Sequence, residues 1–134
     1  MPVVGLDTTF LADVLRHDVD AIRQLKAFSG AAERHVTTAL NAAELYQGAA
    51  SPRRGPRAIE GIDDLLAGLV VLPLNREATR VYGDLARRLA TDGQPVPFLD
   101  LLIGATLLAH GEARILTRNA RDFDRIPGMV AVTY

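Results

Sequence analysis

At 134 residues, 49% hydrophobic and 23% charged, the chain is long enough to bury a core without staples and is expected to form one globular domain, 1–134. It has no cysteine, which excludes disulfides, zinc–thiolate sites, iron–sulfur clusters and thiol nucleophiles. The formal net charge of −1 argues against a broad basic footprint for nucleic acid. Lys26 is the only lysine, a bias that suits phosphate recognition but that genomic base composition explains as well.

In chain order, Val3 to Leu6 reads as a short apolar strand. A helix from Thr8 to Arg16 follows, with Phe10, Leu11, Val14 and Leu15 on one face, and a second from Val19 to Phe28 stops at Ser29-Gly30. Arg34 to Thr38 is the second strand. Asn41 is expected to open a helix that turns Leu45 and Tyr46 to the core. Ser51 to Arg57, rich in proline, glycine and arginine, breaks the chain before a helix from Ala58 to Ala67. Leu69 to Leu74 is a third strand. A long amphipathic helix from Asn75 to Asp92-Gly93 carries Ala78, Val81, Tyr82, Leu85 and Leu89. After the connector Gln94 to Pro97, the most apolar helix runs from Leu99 to His110. Arg114 to Thr117 is the fourth strand, Asp122 to Asp124 a short turn of helix, and Met129 to Val132 an edge strand. Alternating strands and helices imply a three-layer α/β/α fold around a central parallel sheet of four to five strands. No apolar run has signal or membrane-spanning length, so the expected location is the cytoplasm, without membrane contact.

Four acids sit where such strands give way to helices: Asp7, Glu44, Asp100 and Asp122. Each has a modest second reading. Asp7 can cap the helix at Thr8, Asn41-x-x-Glu44 has capping-box spacing, and Asp100 and Asp122 fall in first turns, where a carboxylate gains from the helix dipole. Together they suggest a pocket, because a parallel sheet gathers the carboxyl ends of its strands along one edge. Two unit charges about 4 Å apart, at an effective dielectric near 20, repel by about 4 kcal/mol, a cost that binding a hard divalent cation relieves. Asp124 is a neighbouring candidate for the fourth position. Asp13, Asp18, Asp20, Asp63, Asp64, Glu77 and Asp84 read as surface charge. His17, His35 and His110 are scattered, and no nucleophile elbow, dinucleotide fingerprint or phosphate-binding loop occurs. An acidic site without a nucleophile suits hydrolysis by metal-activated water.

These residues, in this order, resemble the PIN-domain ribonucleases, in particular the VapC toxins of prokaryotic toxin–antitoxin pairs. The matching stretches are Leu6-Asp7-Thr8-Thr9-Phe10-Leu11, Thr37 to Leu45, Leu99-Asp100-Leu101-Leu102-Ile103-Gly104-Ala105-Thr106, and Ile115 to Phe123 with Ile126-Pro127-Gly128. The resemblance implies Asp7, Glu44, Asp100 and Asp122 as catalytic acids and ligands of Mg²⁺ or Mn²⁺. Thr8, Thr9, Thr117 and Asn119 would face the metal water or the substrate phosphate, and Gly104 stands where the family more often has alanine. It further implies endonucleolytic hydrolysis of RNA, a VapB-type antitoxin as partner and a homodimer with Arg53, Arg54 and Arg57 as rim candidates. Two aspartyl-phosphate chemistries fit worse. Thr9 stands where a phosphatase needs its second aspartate, and Lys26 comes too early for a receiver domain. A non-catalytic PIN-like module that binds RNA or protein is the alternative reading.

Overall fold

The computed structural model describes residues 3–30, 34–50 and 55–134. In chain order the elements are β1 (Val3–Leu6), α1 (Thr8–Leu15), α2 (Val19–Gly30), β2 (Arg34–Thr38), α3 (Ala39–Ala49), α4 (Gly55–Ala67) and β3 (Val70–Leu72). They continue with α5 (Arg76–Asp92), α6 (Phe98–Ala109), β4 (Arg114–Leu116), α7 (Ala120–Phe123) and β5 (Val130–Val132). The strands among the described residues form one sheet in the order β3-β2-β1-β4-β5, and every pairing is parallel. Because all strands run the same way, their carboxyl ends share one edge of the sheet.

Alternation along the strands sorts the core into two layers. Val4, Leu6 and Leu116 join Phe10, Leu11 and Val14 of α1, Ala21 and Phe28 of α2, Leu45 of α3 and Ile62 of α4. Ile115 and Val36 belong to the other cluster, with Leu85 and Leu89 of α5, the buried side of α6 and Phe123 of α7. Apolar cover on both faces explains why β1 and β4 read as nearly unbroken apolar runs. Gly5 lets α6 lie close on β1: a Cβ there would come within 2.9 Å of the Leu107 methyls and 3.2 Å of the Arg114 carbonyl oxygen.

The observed boundaries differ from expectation by small amounts with identifiable causes. β3 is shorter than Leu69 to Leu74, since Pro73 has no N–H to extend the ladder. α4 begins at Gly55, so Arg57 is helical, while Arg53 and Arg54 lie outside the described residues. Tyr46 does not face the core. Asn41, Leu45 and Ala49 form the buried stripe of α3, and Tyr46, one residue out of phase, is 37% exposed with its hydroxyl on Asp63. Among the described residues no helix is long and apolar enough to cross a membrane.

Candidate active site

Asp7 is the residue at which β1 stops being sheet and becomes helix. Its backbone N–H extends the ladder to the Leu116 carbonyl (3.1 Å), and its own carbonyl accepts from Leu11 N in the first turn of α1. The side chain occupies the N-cap position yet makes no cap hydrogen bond. It is buried, 4% exposed, and turns to the end of the sheet. There Oδ2 accepts from the Thr117 hydroxyl at 2.6 Å and, at 3.4 Å, from Thr9, while Oδ1 accepts from Asn41 Nδ2 at 3.1 Å. Burial raises its pKa above the ordinary carboxylate range, against the pull of the bonds from Thr117, the Thr8 amide, Thr9 and Asn41.

β2 supplies the second part of the site. It ends at Thr38, the true N-cap of α3, with Asn41 at the reciprocal position of a capping box. The capping box expected between Asn41 and Glu44 therefore lies one turn earlier, and it leaves Glu44 available to the site. Glu44 Oε1 accepts from the Thr8 hydroxyl at 2.6 Å, and Thr8 Oγ1 in turn accepts from Asn41 Nδ2 at 2.9 Å.

The third part comes from α6 and the loop after β4. Asp100, in the first turn of α6, accepts from Asn119 Nδ2 at 2.9 Å, and Asn119 N–H reaches Thr117 Oγ1 at 2.8 Å. Asn119 thus ties Asp100 to the hydroxyl that holds Asp7. Burial first, then the negative fields of Asp7, Asp122 and Glu44, push Asp100 up to about 6, with the Asn119 bond opposing. Asp122 is half-buried, 3.9 Å from Arg125 Nη1. Asp124 points elsewhere, accepting from the Ala131 amide at 3.0 Å, and so does not replace Asp122.

The eight residues expected at the site, Asp7, Thr8, Thr9, Glu44, Asp100, Thr117, Asn119 and Asp122, are thus linked by hydrogen bonds or by mutual repulsion. Asn41 is the member that sequence reasoning assigned only to a cap. Its i, i+3 relation to Glu44, which puts both on one helix face, is the signal that could have found it.

The partners define the electrostatics. Among the described residues no arginine or lysine pairs with Asp7, Glu44 or Asp100; their hydrogen bonds come from hydroxyls, amides and backbone. Asp13 is the contrast. It reads in sequence as surface charge, yet it is buried against Arg118, Arg16 and Tyr134, with Arg118 Nε at 2.8 Å and Tyr134 Oη at 2.6 Å. Burial raises its carboxyl, and these donors outweigh that and hold it at about 2. One buried acid is neutralised; Asp7, Glu44 and Asp100 are not, and Asp122 meets Arg125 only at 3.9 Å. Oxygen donors without thiolate or imidazole suit a hard divalent cation. Among the described residues no three acidic, imidazole or thiol side chains yet converge closely enough to hold an ion between them.

The chain matches the PIN-domain family along residues 4–129. It is 27% identical over 124 residues to the tRNA(fMet)-specific endonuclease VapC of Salmonella typhimurium, covering 92% of each chain. It is 31% identical over 131 residues to VapC ribonuclease Y4jK of Sinorhizobium fredii, covering 91% of each. The fold superposes on DNA-bound VapBC from Salmonella typhimurium with a TM-score of 0.86 and 25% identity, across 99% of this chain and 98% of that one.

Proposed function

The chain belongs to the PIN-domain family, and from that premise we propose that it is a divalent-metal-dependent endoribonuclease, the toxin of a type II toxin–antitoxin pair. The observation that carries the reading is that three of the four carboxylates, Asp7, Glu44 and Asp100, are held by neutral donors with no cationic partner among the described residues, while Asp122 has only a long 3.9 Å contact to Arg125. A structural ion network would be neutralised, as Asp13 is. A helix cap would spend its oxygens on the N2 or N3 amide, whereas the Asp7 side chain makes no such cap bond for α1 and takes the hydroxyls of Thr117 and Thr9 and the Asn41 amide instead.

Asp7, Glu44, Asp100 and Asp122 would hold Mg²⁺ or Mn²⁺. When bound, such a cation polarises the phosphodiester and lowers the pKa of a water molecule. The chain's own residues do the positioning: Thr117 and Asn41 fix the two oxygens of Asp7, Thr8 fixes Glu44, and Asn119 fixes Asp100. Asp100, near 6, exchanges its proton close to neutrality, so cation and proton compete for it. Thr8, Thr9, Thr117 and Asn119 border the same acids and are the candidates to meet substrate phosphate.

The VapC relatives, named for ribonuclease activity, favour RNA as substrate, and the VapBC neighbour favours a VapB-type antitoxin as partner. We place the protein in the cytoplasm as a homodimer, with exposed Arg57 on the rim. One observation favours the non-catalytic alternative, the incomplete convergence of the acids on a single point. Incubation with total cellular RNA and with initiator transfer RNA decides between them. The proposal expects discrete cuts that need Mg²⁺ or Mn²⁺, stop in EDTA and fall at least about a thousandfold in Asp7→Asn, given that positioned metal chemistry supplies several kcal/mol. Folded protein that cuts neither RNA under any of these conditions supports the binding module instead.

A further inference from the structure

We infer that Asn41 is a positioning residue, a buried amide that sets Asp7 and Glu44 in fixed relation so that both serve one cation; the inference rests on the nuclease reading above. Asn41 is 1% exposed, and its side chain has no solvent alternative for any of its bonds. Its Oδ1 accepts from the Thr38 hydroxyl at 2.7 Å and from the Thr38 amide at 3.3 Å. Its backbone N–H returns a bond to that hydroxyl at 3.2 Å. These contacts fix which way the amide faces, since a flipped Asn41 would set its NH₂ against the Thr38 N–H and its oxygen against Asp7 Oδ1.

With that orientation fixed, the two Nδ2 hydrogens are aimed at the site. One goes to Asp7 Oδ1 at 3.1 Å and the other to Thr8 Oγ1 at 2.9 Å. Thr8 Oγ1, having accepted, directs its own proton to Glu44 Oε1 at 2.6 Å. A single amide therefore reaches both acids, one directly and one through a hydroxyl. A capping residue needs only the Thr38 half of this network, so the Nδ2 half is unexplained by the helix start. Glu44 keeps lone pairs free after its bond from Thr8, because an ionised carboxylate offers about four acceptor sites. Asp7, bonded by Thr117, Thr9, the Thr8 amide and Asn41, would yield its 3.4 Å Thr9 bond to a cation.

The test is Mn²⁺ binding alone, read from the electron paramagnetic resonance signal of free Mn²⁺, with folding checked by circular dichroism. Groups that orient metal-binding side chains typically contribute about ten- to a hundredfold in metal affinity. Asn41→Ala is expected to weaken Mn²⁺ binding by about that factor, and Thr8→Val, which removes only the Glu44 arm, by a smaller one. Asn75→Ala is the control. It removes the N-cap of α5, whose side chain accepts from Ala78 N at 2.9 Å, and should lower stability without changing Mn²⁺ affinity. Equal affinity in wild type and Asn41→Ala overturns the inference, as does an equal loss in Asn75→Ala. Should Asn41→Ala not fold, Thr8→Val decides, and wild-type affinity in it is contradictory. Wild-type protein that binds no Mn²⁺ overturns the metal-dependent reading as well, which separates the two failures.

Discussion

Asp13 and Asp100 are both acids drawn partly out of water, and their surroundings move them in opposite directions. For Asp13, burial raises the carboxyl but Arg118, Tyr134 and Arg16 hold it near 2. For Asp100, burial and the fields of Asp7, Asp122 and Glu44 act together and leave it near 6. The consequence for stability follows from linkage. Folded Asp100 holds its proton more tightly than the unfolded chain does, so protonation supports the fold at acid pH and that support is lost as pH rises through about 6. In EDTA, Asp100→Asn should therefore exceed wild type in stability above that value, by about 1–2 kcal/mol after allowance for solvent screening. The gap should close below the ordinary carboxylate range. Melting curves at both ends of the pH range check this, and an Asp100→Asn protein less stable than wild type at neutral pH contradicts it.

Among the elements, the strand exits were the legible feature. A short apolar run followed by an acid and a helical pattern gave Asp7 its neighbourhood, because parallel topology brings such junctions together. Asp100, expected at another strand exit, instead follows α5 and a connector and enters the site from the first turn of α6. What local pattern cannot reveal is the rotation of a helix about its axis and the partners that arrive from far along the chain. Tyr46 fits an apolar stripe in sequence, but the Thr38–Asn41 cap sets the phase of α3 and turns it to solvent. Asp13 looks like a junction charge until Arg118 and Tyr134, more than a hundred residues later, close over it. Gly104 shows the same limit. It reads as a packing detail of α6, and the fold gives the reason: a Cβ there would lie 2.8 Å from Ile126 Cδ1. Ile126→Val, which removes that methyl, should cost about 1 kcal/mol in the wild-type background. In Gly104→Ala it should cost clearly less, since the new methyl fills the space. A double-mutant cycle by chemical denaturation measures the difference, and additive costs would refute the contact.

On the scale of the molecule, the chain folds two apolar layers around a sheet whose central strands end in the acids and hydroxyls of the site. The layers account for most of the sequence. The acids gathered at the sheet edge run against burial energetics, a cost that the proposed cation would relieve. On the proposed reading, carboxylates from separate segments make one cation site. The most direct measurement is anomalous diffraction from crystals soaked in Mn²⁺. A peak is expected at the carboxyl end of the sheet, with Asp7 and Asp100 among its ligands and Glu44 or Asp122 beside them. Crystals saturated with Mn²⁺ that show no peak there, while the protein in solution still cuts RNA, would contradict that reading.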